Sequence, residues 1–119
     1  YIRALKSHPI CIATTGLHGS IGWKFAEYVA CARAIVSEPL VYEVPGDLAA
    51  GQNYLEFRTP DECVAQALRL VEDAALREAM MVANARYYRA YLRPDVLLLN
   101  SLEAAQRVAA NSDSPRPIP

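Results

Sequence analysis

The sequence predicts an α/β fold, with a short parallel sheet of about three strands, flanking helices and a helical C-terminal part. The main observation is the order of an apolar run at Ile10–Ala13, a glycine-containing loop, an amphipathic helix over residues 20–33 and a second apolar run at Ala34–Ser37. This order is typical of one βαβ unit. A second observation is the helix-start signal Thr59-Pro60-Asp61-Glu62, in which threonine caps, proline takes the first helical position and glutamate closes a capping box. A hydrophobic content of 53% in 119 residues suffices for one packed core. Together these observations indicate part of a Rossmann-like domain.

The other elements follow from breaks in the pattern. Residues 1–7 resemble the end of a helix, which His8-Pro9 terminates because a residue before proline is pushed away from helical angles. After the βαβ unit we predict a loop over 40–52, a strand over 53–57, a helix from Pro60 to Asp73, and helices over 74–92 and 95–109. Residues 1–110 therefore form one predicted domain, and the proline- and serine-rich residues 111–119 form a predicted disordered tail.

Composition excludes several classes of function. The formal net charge of −1 gives no electrostatic reason to bind nucleic acid or an anionic membrane. No apolar run is long enough to span a bilayer. The cysteines lack metal-ligand spacing and lie in apolar segments, which favours reduced thiols and a cytoplasmic location. They are Cys11, Cys31 and Cys63.

The start of the chain and a tyrosine-rich segment need separate interpretation. The sequence begins at Tyr1, inside a helix-like segment and without a methionine, so we expect a fragment of a longer chain. Tyr87, Tyr88 and Tyr91 alternate with arginines, as in surfaces that stack nucleic-acid bases. Tyr87 and Tyr91 are one helical turn apart, however, which favours packing against the core.

A candidate binding site lies at the start of the helix over residues 20–33. In a βαβ unit this helix begins at the carboxyl end of the sheet, where unpaired N–H groups and the helix dipole favour anions. Ser20, Lys24 and Glu27 form one stripe on the helix, on which a phosphate could bind the serine and lysine and a sugar hydroxyl could donate to the glutamate. The alternative is that Ser20 is only a cap and that the two charges are solvated.

Neighbouring residues extend this candidate site. His18 lies in the glycine-flanked loop, where it could contact a phosphate or a sugar hydroxyl, although a lone loop histidine is often simply exposed. Glu38 lies at the carboxyl end of the second strand, the edge where such sheets bind ligands. The loop matches neither a dinucleotide fingerprint nor a P-loop, and no metal site is expected. The candidate ligand-binding residues are Gly16, His18, Gly19, Ser20, Lys24, Glu27 and Glu38.

Three motifs resemble the C-terminal half of a GT-B glycosyltransferase, close to the group 1 and CgeB-like branches. The first runs from Lys24-Phe25-Ala26-Glu27 into the strand Ala34-Ile35-Val36-Ser37. The second is Gly51-Gln52-Asn53-Tyr54-Leu55-Glu56-Phe57, which is similar to the strand before the family's capped helix. The third is the helix start at Thr59. The resemblance covers roughly residues 8 to 93 and lies in order and spacing.

This resemblance implies that the chain is the donor-binding part of an enzyme that transfers a sugar from a nucleotide-diphosphate sugar. It implies that Glu27 binds the nucleotide ribose, that Lys24 lies near the diphosphate, and that the loop over residues 16–20 faces the sugar. An N-terminal acceptor domain would be missing here and would supply the catalytic base. No cofactor beyond the donor substrate is implied.

The sequence departs from the family pattern at two places. A second glutamate is common eight residues before the ribose glutamate, but Gly19 takes that position here, with His18 beside it. The usual Gly-x-Pro at the helix end is replaced by Ala32-Arg33-Ala34, and alanine is not expected to adopt a left-handed cap as glycine does. These departures leave the sugar and the retaining or inverting outcome open.

A second hypothesis from another class is a non-catalytic Rossmann-like or flavodoxin-like interaction module. It would form a homodimer through Trp23, which lies opposite the sheet-facing side of its helix, and through the tyrosine-rich helix.

Overall fold

The computed structural model describes residues 1–112, with the side chain of Ser112 left out, and shows the predicted α/β fold. Three parallel strands form one sheet in the order β1-β2-β3. The elements are α1 (Ile2–Ser7), β1 (Ile10–Ala13), a 3-10 turn (Leu17–Gly19), α2 (Trp23–Ala30), β2 (Ala34–Ser37), β3 (Leu55–Glu56), α3 (Pro60–Glu72), α4 (Ala74–Tyr87), a π-helical turn (Tyr88–Leu92) and α5 (Pro94–Ser112).

The central strand β2 divides the core into two clusters. Ile35 points to one face, where Phe25 and Val29 of α2 cover it, and all three side chains are buried. Val36 points to the other face, where it packs with Leu70 of α3. Because successive side chains of a strand alternate between its faces, a helix on each face buries the whole of β2.

The first full helix is shorter than predicted. The expected helix over residues 20–33 is α2, which begins after Gly22 and ends at Ala30. Ser20 has extended backbone angles (φ −61°, ψ 144°), so it belongs to the loop and not to the helix. Ile21 still packs against the core from outside the helix, and this explains why the apolar periodicity extended the prediction too far.

The carboxyl end of α2 corrects a second expectation. Ala32 has φ 54°, in the left-handed region that alanine was not expected to adopt. Its N–H donates to the Val29 carbonyl at 2.9 Å, and the Arg33 N–H donates to the Tyr28 carbonyl at 2.9 Å. This pair of bonds is a Schellman motif, which ends the helix with alanine at the position that glycine usually takes.

The other boundaries differ from the predictions in smaller ways. The third strand is only Leu55–Glu56, because the Asn53 N–H donates to the Ala49 carbonyl at 2.9 Å, within a turn. The helix predicted over 74–92 ends at Tyr87 and continues as the π-helical turn. The last helix runs through Ser112, so the first two residues of the predicted disordered tail are helical; residues 113–119 lie outside the described part of the chain.

The predicted start of α3 is confirmed, with a different partner for Glu62. The Thr59 hydroxyl accepts the Glu62 N–H at 3.2 Å and thereby caps α3. The Glu62 carboxylate reaches back to the Arg58 N–H at 2.6 Å, one residue before the N-cap residue of an ideal capping box. Asp73 ends α3 and also caps α4, since its carboxylate accepts the Leu76 N–H at 2.9 Å.

A buried amide pair, which was not identified from the sequence, joins α4 to the sheet. Asn84 is 0% exposed and its side-chain NH₂ donates to the carbonyls of Arg33 (2.7 Å) and Asn53 (2.9 Å). The Asn84 side-chain oxygen accepts from the Asn53 side-chain NH₂ at 3.0 Å. The Asn53 side-chain oxygen accepts the Ala49 N–H at 3.0 Å, so the oxygen and the NH₂ group of both amide side chains are paired. This network holds α4 against the amino end of β2 and against the approach to β3.

Replacing Ala32 by glycine is expected to stabilise the fold. The left-handed region costs an L-residue about 1–2 kcal/mol, and glycine gives back part of that in unfolded-state entropy. We therefore expect Ala32→Gly to raise the free energy of unfolding by about 0.5–1 kcal/mol, measured by urea titration. The control Ala26→Gly, in the middle of α2, should lower it by a similar amount. A destabilising Ala32→Gly would contradict the assigned motif.

Removing the buried amide of Asn84 is expected to be costly. Asn84→Ala leaves two carbonyls and one NH₂ group buried without partners, each worth about 1–3 kcal/mol. We expect a loss of at least about 3 kcal/mol in unfolding free energy, measured by urea titration. Asn100→Ala is the matched control, because that side chain makes one long hydrogen bond (3.4 Å) near the surface, and it should cost less than about 0.5 kcal/mol. Equal losses in the two variants would show that the network does not stabilise the fold.

Candidate functional site

The candidate site lies at the carboxyl edge of the sheet, where the loops after the parallel strands emerge together. The loop over residues 14–22 leads from β1 to the amino end of α2. The N-cap residue of α2 is Gly22, and no side chain in the described part of the chain caps this helix. The first N–H groups of the helix thus face this edge without a side-chain partner.

Short contacts hold the loop over residues 14–22 in one conformation. The Gly16 N–H donates to the Ser20 carbonyl at 2.7 Å, and the Gly19 N–H donates to the Gly16 carbonyl at 3.1 Å. A methyl group on Gly16 would lie 2.6 Å from the Ser20 hydroxyl oxygen, so a larger residue would force that side chain aside. His18 and Gly19 both have positive φ angles, of 56° and 73°. The backbone angle of Gly19 therefore favours glycine, and the loop places the Ser20 side chain over Gly16.

The structure does not join Ser20, Lys24 and Glu27 into one helical stripe. Lys24 and Glu27 lie on α2, in its first and second turns, and both are exposed. Ser20 precedes the helix, so the predicted helical spacing does not apply to it. Lys24 forms no ion pair or hydrogen bond with any residue in the described part of the chain.

Glu27 already has a partner in this chain. The Tyr1 hydroxyl donates to Oε2 of Glu27 at 2.5 Å, and this hydrogen bond to a carboxylate raises the pKa of Tyr1 to about 12. The bond uses one carboxylate oxygen and leaves Oε1 able to accept from another donor. Glu27 can therefore anchor α1 to α2 and still accept a hydrogen bond from a ligand.

Glu38 anchors the loop at the sheet edge. Its carboxylate accepts both the N–H (2.6 Å) and the hydroxyl (2.8 Å) of Thr15. These hydrogen bonds, the backbone one above all, hold the pKa of Glu38 below its ordinary value of 4.5. The bond between Glu38 and Thr15 ties the loop after β1 to the end of β2.

The loop after β2 covers the loop after β1. The Tyr42 hydroxyl donates to the His18 carbonyl at 3.1 Å, while the His18 side chain stays exposed. A methyl group on Gly19 would lie 3.0 Å from Cγ2 of Val41. The tip of the loop over residues 16–19 is thus in contact with residues 41–42.

A depression of about 350 Å³ lies beside this contact, and its residues were not identified from the sequence. Residues 40–52 were predicted only as a loop, without a role in the site. The sequence feature that could have indicated this depression is Tyr42, an aromatic residue that lies in the loop between Pro39 and Pro45. The lining residues are Leu40, Tyr42, Glu43, Val44, Gly46, Leu48 and Tyr54.

Tyr87 at the end of α4 and Tyr91 in the π-helical turn pack at the core, as predicted. Tyr87 is 4% exposed and its ring lies 5.2 Å from that of Tyr91. The Tyr87 hydroxyl donates to the Pro45 carbonyl at 2.5 Å, which attaches the loop after β2 to α4. Trp23, in contrast, is 89% exposed at the start of α2.

Replacing Glu38 is expected to change the acid sensitivity of the fold. Because the pKa of the folded carboxyl group is lowered, its hydrogen bonds stabilise the fold above its ordinary value of 4.5 and are lost as pH falls through the folded pKa. The urea midpoint should fall less between pH 7 and pH 3 in Glu38→Gln than in the wild type. Glu43→Gln is the control, since Glu43 is an exposed carboxylate of the next loop with no hydrogen bond to the described residues, and it should follow the wild type. A Glu38→Gln profile identical to the wild-type profile would remove Glu38 as the loop anchor.

Two further findings concern membrane-spanning helices and metal sites in the described residues. Within residues 1–112, no helix combines the length and the apolar character needed to cross a membrane. In the same part of the chain, no cluster of three or more histidine, cysteine, aspartate or glutamate side chains is arranged to hold a metal ion.

Comparison with known proteins gives no relative: no protein-family model, no curated protein and no solved structure matches this chain.

Proposed function

We propose that this chain is the donor-binding part of a glycosyltransferase, and that it holds a nucleotide-diphosphate sugar at the carboxyl edge of its sheet. The observation that carries the proposal is the amino end of α2. It follows a glycine loop fixed by its own hydrogen bonds and, within residues 1–112, it has no side-chain cap and its first-turn Lys24 has no partner. Backbone N–H groups, a positive helix end and an ammonium group together suit a diphosphate.

In the proposed mechanism the protein acts on the leaving group. The bond between the sugar C1 and the diphosphate oxygen breaks as a bond to the acceptor oxygen forms, and negative charge develops on the diphosphate. The amino end of α2 and Lys24 would stabilise that charge, which is usually a large contribution to catalysis. The acceptor proton goes to a base outside this chain, so the chain alone is expected to bind the donor without transferring the sugar.

The remaining site residues take positioning roles in the proposal. Oε1 of Glu27 accepts a ribose hydroxyl while Oε2 keeps the Tyr1 bond. Gly16, His18, Gly19 and Ser20 form the turn that faces the phosphates and the sugar. Glu38 holds that turn in place through Thr15, whose N–H and hydroxyl both donate to Oε2, and Oε1 is left able to accept from a ligand.

The second candidate function is a self-associating module without catalysis. The 89% exposure of Trp23 favours it, because a tryptophan exposed to this degree on a helix suits a partner surface. The tyrosines that the hypothesis also required are turned into the core, where Tyr87 and Tyr91 pack with each other. Of the predicted contact surface, Trp23 is therefore the part that is exposed and able to bind a second copy.

Calorimetric titration with UDP, GDP and their sugars tests the first proposal. Lys24→Ala should weaken binding about tenfold, the effect of one charge-assisted hydrogen bond to phosphate. Glu27→Ala should weaken nucleotide binding without changing the weaker affinity for inorganic diphosphate, because it removes only the ribose contact. The control Lys6→Ala, on the exposed side of α1, should bind as the wild type does.

Two results would overturn this proposal. Equal affinity in the wild type, Lys24→Ala and Glu27→Ala would remove the site. A wild-type chain that is folded but binds none of these nucleotides at millimolar concentration would remove the donor-binding function and leave the module hypothesis.

A further inference from the structure

The last helix presents most of its surface to solvent. α5 has 19 residues and is about 28 Å long at 1.5 Å per residue. It packs on the π-helical turn before it, and the Asn100 side chain donates to the Ala90 carbonyl at 3.4 Å. Val96 and Asn100 are half-buried in this contact, whereas the other side chains from residue 97 to residue 111 are exposed. One side of α5 therefore faces the domain and the rest faces outward.

The outward side carries an apolar stripe with coiled-coil spacing. Its members are Leu98, Leu102, Ala105 and Ala109, which follow one another at intervals of four, three and four residues. At 100° per residue they fall within an arc of about 60°, on the side opposite Val96 and Asn100. Leu98 is 63% exposed and Leu102 is 54% exposed. Two leucine side chains of this α5 stripe are therefore exposed to water, because the domain packs only against the opposite side of the helix.

The order of sizes along the α5 stripe indicates what covers it. Both leucines lie in the first half and both alanines in the second. In an antiparallel pair of α5 helices with its twofold axis between residues 103 and 104, Leu98 of one copy lies opposite Ala109 of the other, and Leu102 lies opposite Ala105. Every layer then pairs a large side chain with a small one, which lets the helices approach and interdigitate. A parallel pair would set leucine against leucine and leave a gap between alanines.

The charges of α5 are compatible with such a pair. Glu103 and Arg107 form an ion pair with each other (3.8 Å) and lie on the side away from the stripe. Asp95, which is nearer the stripe, is held by the Arg93 guanidinium at 2.7 Å. Among the described residues of α5, no pair of like charges meets across the antiparallel interface, so electrostatic repulsion between them does not oppose the apolar contact.

We propose that the α5 stripe binds a second copy of this chain and forms an antiparallel, twofold-symmetric helix pair. A twofold contact uses the same surface on both copies, as the self-complementary pattern requires. The interface is one helix wide, so the dimer dissociates in the micromolar range. The proposal does not depend on nucleotide binding, because the α5 stripe and the amino end of α2 share no residue.

Sedimentation equilibrium of the whole chain tests the proposal, with Leu102→Asp as the variant. The symmetric dimer loses two buried leucines and gains two buried charges, so its dissociation constant should rise about 100-fold or more. Leu68→Asp is the matched control, since Leu68 is a leucine of α3 with 51% exposure, and it should dimerise as the wild type does. Urea unfolding of each variant at concentrations below the dissociation constant shows whether the monomer is still folded.

Three results would overturn the proposal. A wild type that is still monomeric at about 100 μM, well above the expected dissociation constant, would mean that another protein or another part of a longer chain covers the α5 stripe. Equal effects of Leu102→Asp and Leu68→Asp would show that any self-association is unspecific. A dimer abolished by Trp23→Ala but not by Leu102→Asp would move the interface to α2.

A disulfide experiment tests the orientation of the helices. Leu98→Cys and Ala109→Cys chains are mixed, oxidised and analysed by mass spectrometry, which separates the new cysteines from the three native ones. An antiparallel pair gives a link between positions 98 and 109, and neither variant links to itself, because identical positions lie about 16 Å apart along the axis at 1.5 Å per residue. Links between two copies of position 98 would show a parallel pair and contradict the proposed arrangement.

Discussion

The structure depends on burying β2 on both faces. Residues 34–36 are 0% exposed, although their strand has only four residues and its neighbour β3 has two. A sheet this small cannot exclude water by itself, so helices must cover each face and the ends. α2 and α3 cover the faces, and α4 closes the amino end through Met80, whose sulfur accepts the Ile35 N–H at 3.3 Å. The positions of the three helices follow from this one requirement.

Apolar patterns predicted which elements exist but not where they end. The strands β1 and β2 were predicted at their observed bounds, since a four-residue apolar run close to a proline is too short for a helix and suits a buried strand. The end of α2 was missed because alanine is a strong helix former, so its residue type does not indicate that Ala32 adopts a positive φ and closes a Schellman motif. β3 was predicted too long because Tyr54 and Phe57 are buried on either side of a two-residue strand; Tyr54 bridges to Ala50 instead of β2, and Phe57 contributes only its N–H, which donates to the Ser37 carbonyl at 3.0 Å. Burial alone does not distinguish a strand from an adjoining turn.

The sequence predicted which edge of the sheet α2 begins at, but not the contacts of the side chains around it. That α2 begins at the sheet edge follows from βαβ topology, so Lys24 was placed from sequence alone. The partners of the two glutamates were not predictable, because they connect distant segments: Tyr1 reaches Glu27 and Thr15 reaches Glu38. Asn84 offered a clearer signal, since it shares one helix face with Met80 and Tyr87, where a buried amide must find partners.

The connections around the loop over residues 14–22 bear directly on ligand binding. Glu38 fixes the beginning of the loop through Thr15. The Gly16 N–H donates to the Ser20 carbonyl within the loop, and the Tyr42 hydroxyl holds its tip through the His18 carbonyl. All of these bonds form within the chain, before any ligand arrives. A ligand that uses the loop N–H groups therefore loses little free energy in ordering them, which is the general advantage of a preorganised site. The same reasoning explains why Glu38 belongs to the proposed site: through the two bonds from Thr15 to its Oε2, it supports the loop that would make the contacts.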